Sequence, residues 1–468
     1  MEDKKRAQWG SKLGFILAAA GSAIGLGNIW KFPGRAYEGG GGTYILVYLL
    51  IVILIGFPVM LSELAIGRAG GSDAVGTFEK LDKRFKWLGY VAVIVPFIIT
   101  AYYAHVGGWV LRYVFGYMFD SKQIYAEPTG YFYGLLGYDL AGDSTFFPWI
   151  ALIFAALFLA LSAFVVIKGV QGGIERFNKV GMPALLVLLI ILLIRSTTLE
   201  GAAEGLRYML SFDWSKMSFA TFLSALGQAF YSLSLGMGIM ITYGSYLRKE
   251  DNIYKNSMLV CTMDTVVALI AAFIIVPACF ATLGADGIGK GAGFAFVSLA
   301  GVFEALPAGA FFGVIFYLLL LFAALTSTIS LIEVLVSFMS DHLHVERKKG
   351  TIGLCIVLFL IGCVYTCSQV AFSNIKGIWF DFANGLTFPI FGDFMEFLTD
   401  RLLVPVCALG VCIFAGHFWK PESVSEEIGK EGTKFPIVRL YGVLIRYIVP
   451  AAIALILVIS FITGTTLS

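Results

Sequence analysis

The sequence predicts an all-α polytopic membrane protein. It contains two five-helix repeats of opposite orientation (a 5+5 inverted repeat), with helices 1 and 6 broken, and one extra C-terminal helix. Three observations lead there. First, of 468 residues 59% are hydrophobic and 14% charged, where a soluble chain carries about a quarter charged. Apolar runs long enough to cross a hydrocarbon layer of about 30 Å recur along it, without the alternation a β-barrel would show. Second, Lys and Arg gather in alternate connections. Third, two runs are interrupted by glycines beside polar residues, and they lie five runs apart.

Eleven spans follow, near Leu13–Ala36, Tyr44–Ile66, Trp87–Phe119, Pro148–Ile167, Val180–Ile194, Phe219–Tyr246, Ser257–Leu283, Ala310–Met339, Ile352–Cys367, Phe388–Phe418 and Val438–Phe461. Lys4, Lys5 and Arg6 precede the first, and this start imitates a signal peptide. The run is longer than a signal's apolar core, however, and leads into further spans. Basic residues concentrate around Lys80–Lys86, Lys168–Lys179, Arg248–Lys255, Arg347–Lys349 and Lys420–Lys434. By the positive-inside rule these connections and the N-terminus face the cytoplasm, and an odd span count puts Ser468 outside. The expected location is the cell (cytoplasmic) membrane. The organisation reads as a cytoplasmic gate segment (1–12), a first repeat (13–196), an extracellular loop (197–217), a second repeat (218–418), a cytoplasmic loop (419–436) and an eleventh helix with its external tail (437–468). The loop Gly284–Gly309 is apolar but too broken to span, and reads as a cap or re-entrant segment over the outer face.

Net charge is +2, which gives no reason to expect a nucleic-acid partner. The seven cysteines lie in or beside apolar runs with no CxxC, and the four histidines are scattered. Packing explains Cys363 and Cys367, which share a helix face, better than a metal does.

The interruptions are GSAIGLGN in span one and SLSLGMG in span six. An unwound turn in a membrane strands backbone groups that must then meet protein, ion or ligand. Freed carbonyls suit a hard cation, and a half-helix N-terminus suits a carboxylate. Such breaks in corresponding places of two inverted halves mark a midplane binding site. Close helix packing through Gly21 and Gly25 is the simpler alternative for one break alone. Thr326 and Ser327 add hydroxyls in span eight, and Asp264 puts a carboxylate deep in span seven, where an ionisable group marks function by default. The sum is a cation-coupled carrier of a small zwitterionic solute.

Seven ordered segments carry a resemblance: AGSAIGLGNIWKFP, GGGG with Tyr48 after it, GFPVMLSELAIGR, AYYAHVGGW, KGVQGGIERFNKVGMP, GQAFYSLSLGMGIMITYGSY and FAALTSTIS. With them the chain resembles the neurotransmitter:sodium symporter family, in particular its bacterial eleven-span amino acid transporters of the tyrosine and multihydrophobic type. The resemblance covers spans one to ten. It implies a leucine-transporter-like fold, no organic cofactor and two sodium ions. One ion would be held by Ala23, Asn28, Ser232 and Asp264 with the substrate carboxylate. The other would be held by Gly21, Ile24, Ala323, Thr326 and Ser327. It also implies a substrate site at Ala23, Gly25, Leu26, Gly27, Ile99, Tyr103, Tyr231, Ser234, Met237, Ser327 and Leu331. Leu26, Gly27 and Tyr103 would meet the carboxylate.

Three departures from the family pattern carry expectations. The basic outer-gate residue is Lys31 where Arg is frequent, paired with Asp393 or its rival Glu396. Lysine lacks the bidentate fork, so the gate is looser. Asp264 replaces a frequent Asn, and Ala268 stands where animal members have the chloride-site Ser, so transport is expected to be chloride-independent. Burial and a nearby cation act on a carboxyl in opposite senses, so Asp264 is further expected to take up a proton when sodium leaves. Met237 replaces a phenylalanine and, with Ile99 and Leu331, makes an adaptable apolar pocket. That pocket suits hydrophobic L-amino acids including aromatics, with Tyr231 and Ser234 able to serve a tyrosine hydroxyl. The inner gate implied is Arg6 with Asp341, beside Trp9 and Tyr246. The resemblance also implies that the Gly173 to Pro183 spacing allows local unwinding of span five; by themselves, Gly and Pro near a helix start are commonplace.

The rival readings are a proton-coupled carrier using Asp264, a channel, a membrane amino acid sensor and an enzyme. The polar residues form a compact cluster rather than the stripe a channel needs. No signalling domain is left over for a sensor, and no nucleophile or metal constellation for an enzyme. Oligomeric state is not readable from the sequence.

Overall fold

The computed structural model describes residues 7–139, 144–284, 287–288, 293–369, 391–430 and 435–463. The first helix is divided. α1 (Lys12–Ala23) is capped by Ser11, whose side chain accepts from Gly14 N–H, and ends where Ile24 turns extended. α2 (Gly27–Glu38) resumes after a bend of 54°. Continuous helices follow: α3 (Gly42–Gly70), α4 (Lys83–Phe119), α5 (Trp149–Ile167) and α6 (Val170–Thr197). The expected sixth span is divided as well, into α7 (Phe219–Ser232) and α8 (Ile239–Gly244), with residues 233–238 between them. Then come α9 (Ile253–Thr282), the short apolar α10 (Phe294–Glu304), α11 (Gly309–Asp341), α12 (Arg347–Gln369), α13 (Phe391–Phe418) and α14 (Val438–Ile459). Among the described residues nine helices are long and apolar enough to cross a membrane, and the bent pair α1–α2 makes a tenth.

The long helices bury one stripe and leave another apolar stripe exposed. On α5, Ala151, Ala155, Phe158 and Ser162 are buried while Ile153, Leu157, Leu161 and Phe164 are exposed. In water that outer stripe would be costly; against lipid tails it is not. Small residues set the close approaches. A Cβ at Gly108 of α4 would lie 2.5 Å from the Ala155 backbone nitrogen, so α4 and α5 touch backbone to backbone there.

One expectation on a boundary changes, and another falls outside the described residues. Span five begins at Val170, ten residues before the expected Val180. Its polar start is accommodated because Glu175 reaches across to Gly10 N–H (2.7 Å) and the Ser11 hydroxyl (2.7 Å) at the head of α1. Gly173 and Pro183 therefore lie inside a continuous helix. The expected start of span ten, Phe388, lies outside the described residues. The cap expectation fits α10. Its Phe296 packs on Trp30 of α2, Trp109 of α4 and Phe132, at ring distances of 5.7, 6.2 and 5.0 Å.

Candidate functional site

The two breaks face each other at the centre, and α4, α9 and α11 close the ring around them. Asp264 of α9, fully buried, connects the breaks. Asn28 Nδ2 donates to Asp264 Oδ1 (2.7 Å) and to Ser232 Oγ (2.8 Å), and Ser232 Oγ donates to the same carboxylate (2.8 Å to Oδ2). Asn28 Oδ1 accepts Gly25 N–H (3.0 Å). The four residues expected around the first ion thus include three in one hydrogen-bonded cluster. A cation there would have to recruit the Asn28 oxygen from Gly25.

The second group is built from α1 and α11. Ser327 Oγ donates to the Ser22 carbonyl (3.2 Å), and Thr326 Oγ1 donates to Phe322 and Ala323 carbonyls of its own helix (both 3.0 Å). Both hydroxyls spend their proton on a carbonyl, which leaves oxygen lone pairs available to a cation.

Between these groups lies a pocket lined by Ala23, Gly25, Gly27, Ile99, Tyr103, Tyr231, Ser234, Met237, Ser327 and Leu331, with Ser22 and Ile239 added by the structure. Leu26 sits at its outer edge, where its N–H donates to the Tyr103 hydroxyl (3.2 Å). The glycines are there for approach. A Cβ at Gly25 would lie 3.0 Å from Ser327 Oγ and 3.2 Å from the Tyr103 hydroxyl, and one at Gly27 3.2 Å from the Tyr231 ring. The cavity volume is about 30 Å³, room for roughly two waters. A solute of more than a few atoms therefore enters only as the walls separate, and flexible Met237 is the wall best able to give. The Ser234 hydroxyl also donates to the Ser22 carbonyl (2.9 Å), which ties one break to the other and leaves its oxygen lone pairs facing the pocket.

Above the pocket a cavity of about 50 Å³ holds Lys31, Tyr102, Tyr231, Glu396 and Asp400. The Lys31 ammonium sits over the Tyr231 ring, 5.4 Å from its centre. Asp393 is exposed and outside this cavity, so the structure brings Lys31 together with Glu396 and with Asp400 instead of Asp393. The physical reason is depth: residues 393, 396 and 400 follow one another along one face of α13, and Asp393 is the turn farthest from the pocket, where it is exposed. Tyr102 donates toward Asp400 Oδ1 (3.4 Å).

At the opposite end, Trp9 N–H donates to the Tyr246 carbonyl (3.2 Å) and its indole N–H to the Tyr243 carbonyl (3.1 Å). The Tyr246 hydroxyl donates to Glu333 Oε1 (2.7 Å), which also accepts from Arg347 (3.1 Å). Asp341 Oδ2 accepts Asp73 N–H (3.1 Å). Arg6, its expected partner, lies outside the described residues.

Sequence reasoning passed over several working residues. Glu63 Oε1 accepts Gly236 N–H (2.8 Å), holding the second break open. Gln228 donates to the Gly27 carbonyl (3.2 Å) and accepts from Arg35 (2.6 Å). Glu63, Glu175 and Glu333 are acids inside apolar or helical runs, and that alone was a signal.

A carrier site between two broken helices, with the polar groups arranged to hold ions and a small solute, defines a secondary transporter rather than an enzyme. The comparisons with known proteins name the family. The sequence matches the Sodium:neurotransmitter symporter family over residues 6–126 and 147–467, and the chain belongs to that family. It is 35% identical to the uncharacterized sodium-dependent transporter YhdH of Bacillus subtilis, over 97% of this chain and 98% of that one. It is 34% identical to an uncharacterized sodium-dependent transporter of Haemophilus influenzae, over 97% and 98%. A crystal structure of MhsT in complex with L-phenylalanine superposes with a TM-score of 0.83 at 38% identity, covering 97% of this chain and 99% of that chain. The fold is therefore the leucine-transporter type, and the chain is a membrane transporter that depends on sodium.

Proposed function

We propose that this chain is a symporter of hydrophobic and aromatic L-amino acids. It is driven by two sodium ions, works by alternating access and is independent of chloride. It sits in the cytoplasmic membrane with eleven spans and its N-terminus inside. The observation that carries the reading is the Asn28–Ser232–Asp264 cluster, which joins both breaks beside an apolar pocket. Sodium at this cluster would draw Asn28 and Ser232 oxygens and the Ala23 carbonyl onto one point, with the substrate carboxylate completing the shell. Ion and cargo then stabilise each other's site, and that mutual dependence is what couples cargo to gradient. The amino group lies toward the carbonyls of the breaks, and the side chain among Ile99, Tyr231, Met237 and Leu331. That MhsT was crystallised with L-phenylalanine supports this substrate class.

The second ion at Gly21, Ile24, Ala323, Thr326 and Ser327 would hold α1 to α11. Its loss would free α1 together with Trp9, opening the inner side. Asp264 supplies a fixed negative charge where a chloride ion would otherwise be needed, and it takes up a proton when its sodium leaves.

The deciding experiment is equilibrium binding of labelled L-amino acids to purified protein with and without sodium. Sodium-dependent binding that favours phenylalanine, tyrosine, leucine and similar side chains is expected. Binding indifferent to sodium overturns the reading, and binding governed by pH instead selects a proton-coupled carrier. In proteoliposomes, replacing chloride by gluconate should leave uptake unchanged. A strict chloride requirement would refute the role given to Asp264.

A further inference from the structure

Beyond the Glu175 bonds to the head of α1, α6 faces the first helix with an unsatisfied buried atom. Asn178 is fully buried, and its Nδ2 donates to the Ile174 carbonyl one turn back (2.9 Å). That bond fixes the amide, so Oδ1 points away from its own helix. Among the described residues Oδ1 has no hydrogen-bond donor. It points at Gly21: a Cβ built there would lie 2.2 Å from Oδ1 and 3.1 Å from Met182 Sδ. A buried acceptor without a donor is unfavourable, and an apolar side chain of similar size would avoid the cost.

The helix is weakened on both sides of Asn178. Pro183 lies inside it and has no N–H for the Lys179 carbonyl. Gly173 is pressed against the Val165 carbonyl, 2.0 Å from where a Cβ would stand. Bending of this segment away from α1 would separate Asn178 from Gly21.

We propose that Asn178 Oδ1 is an exit ligand for the second sodium ion, taking the ion from the Gly21 side as it leaves for the cytoplasm. The inference rests on the sodium-coupled reading above. A hard cation seeks oxygen ligands, and a neutral amide oxygen offers one. It lowers the cost of partial dehydration without the deep well a carboxylate would make. The same oxygen is not needed in the loaded state, where carbonyls and hydroxyls of α1 and α11 suffice.

The test uses full-length protein in liposomes, with external and internal sodium varied separately. Internal sodium slows turnover by rebinding from inside. Asn178→Leu should raise the internal concentration for half-inhibition about fivefold or more, and change the external half-saturation less than about twofold. Asn178→Asp should shift the internal value the other way. A purely structural lesion would move both constants together, and that result overturns the proposal, as does an internal value that N178L leaves unchanged. If N178L does not fold, Asn178→Ala supplies the same comparison. A wild type indifferent to sodium would sink the functional reading itself; with sodium dependence established, the variants decide on Asn178 alone.

Discussion

The two breaks occupy matching places, yet they are made differently. The first spans three residues. Ile24 is extended (φ −73°, ψ 99°), Leu26 is already helical, and no residue there has a positive φ. The second runs over residues 233–238 and enters the left-handed region three times, at Ser234 (φ 54°), Gly236 (φ 71°) and Gly238 (φ 70°). Glycine thus serves two purposes. In the first break it keeps a path clear for Ser327, Tyr103, Tyr231 and Asn178 to reach the backbone. In the second it supplies a conformation that other residues adopt at a cost. The first break is shaped by its neighbours, the second by its own chain.

Asp264 is where the two are joined, and its loss should have the largest effect. Asp264→Ala removes hydrogen bonds to Asn28 and Ser232 together. Hydrogen bonds to a charged group are worth about 1.5–3 kcal/mol each, so sodium-dependent amino acid affinity should fall by about a hundredfold or more. Isothermal titration in sodium reads this directly. A loss under about tenfold would mean the breaks are held together elsewhere, with Ser234 and Ser22 the next candidates.

The contrast in glycine roles makes a paired prediction of intermediate size. Gly238→Ala places a side chain at positive φ, with its Cβ 2.5 Å from the Ala92 carbonyl. The conformation alone costs about 1–2 kcal/mol, and the clash with backbone adds to it. Thermal unfolding in detergent should show a clear drop. Gly25→Ala involves no positive φ and meets side-chain oxygens that can yield a little, so unfolding should shift less, by about 1 kcal/mol, the low end of the cost of overpacking. Its methyl occupies the ligand's space, so affinity should fall by about tenfold. Equal destabilisation by both would erase the distinction between the breaks.

Much of this was legible in the chain. Glycines beside polar residues in two apolar runs located the pocket, and Asp264 stood out because a lone carboxylate in TMDTVVAL demands a partner. What escaped were partnerships across distance. Glu63, Glu175 and Asn178 read as parts of the segments that carry the family resemblance, but what they do depends on which break or helix end each one faces, and one sequence does not carry that. Ser234 was assigned to a substrate because hydroxyls invite that use. It does line the pocket, and the fold in addition spends its proton on the Ser22 carbonyl, 212 positions away, a tie that one sequence does not show. Of the two acids offered for the outer gate, Glu396 lines the Lys31 cavity and Asp393 does not, and Asp400 was passed over, because periodicity gives the face of α13 but not its depth.

The outer gate yields the smallest expected effect. Lys31 lies just beyond the first break and Tyr231 just before the second, and the ammonium over the ring joins the breaks a second time, outside the pocket. The acids that share its cavity are Glu396 and Asp400. Neutralising either leaves Lys31 one carboxylate, so Glu396→Gln and Asp400→Asn should each slow uptake by about threefold, an effect of under 1 kcal/mol. Asp393→Asn removes an exposed charge that solvent and salt already screen, so uptake should change by less than about 1.5-fold. Lys31→Arg should strengthen the closed gate only if both carboxylates remain, because a planar fork can engage two oxygens at once where an ammonium cannot. Uptake rates of the three acid variants in the same proteoliposomes make the measurement. If D393N matches E396Q, the pairing belongs to the outer turn of α13, and the link between the breaks ends at the pocket.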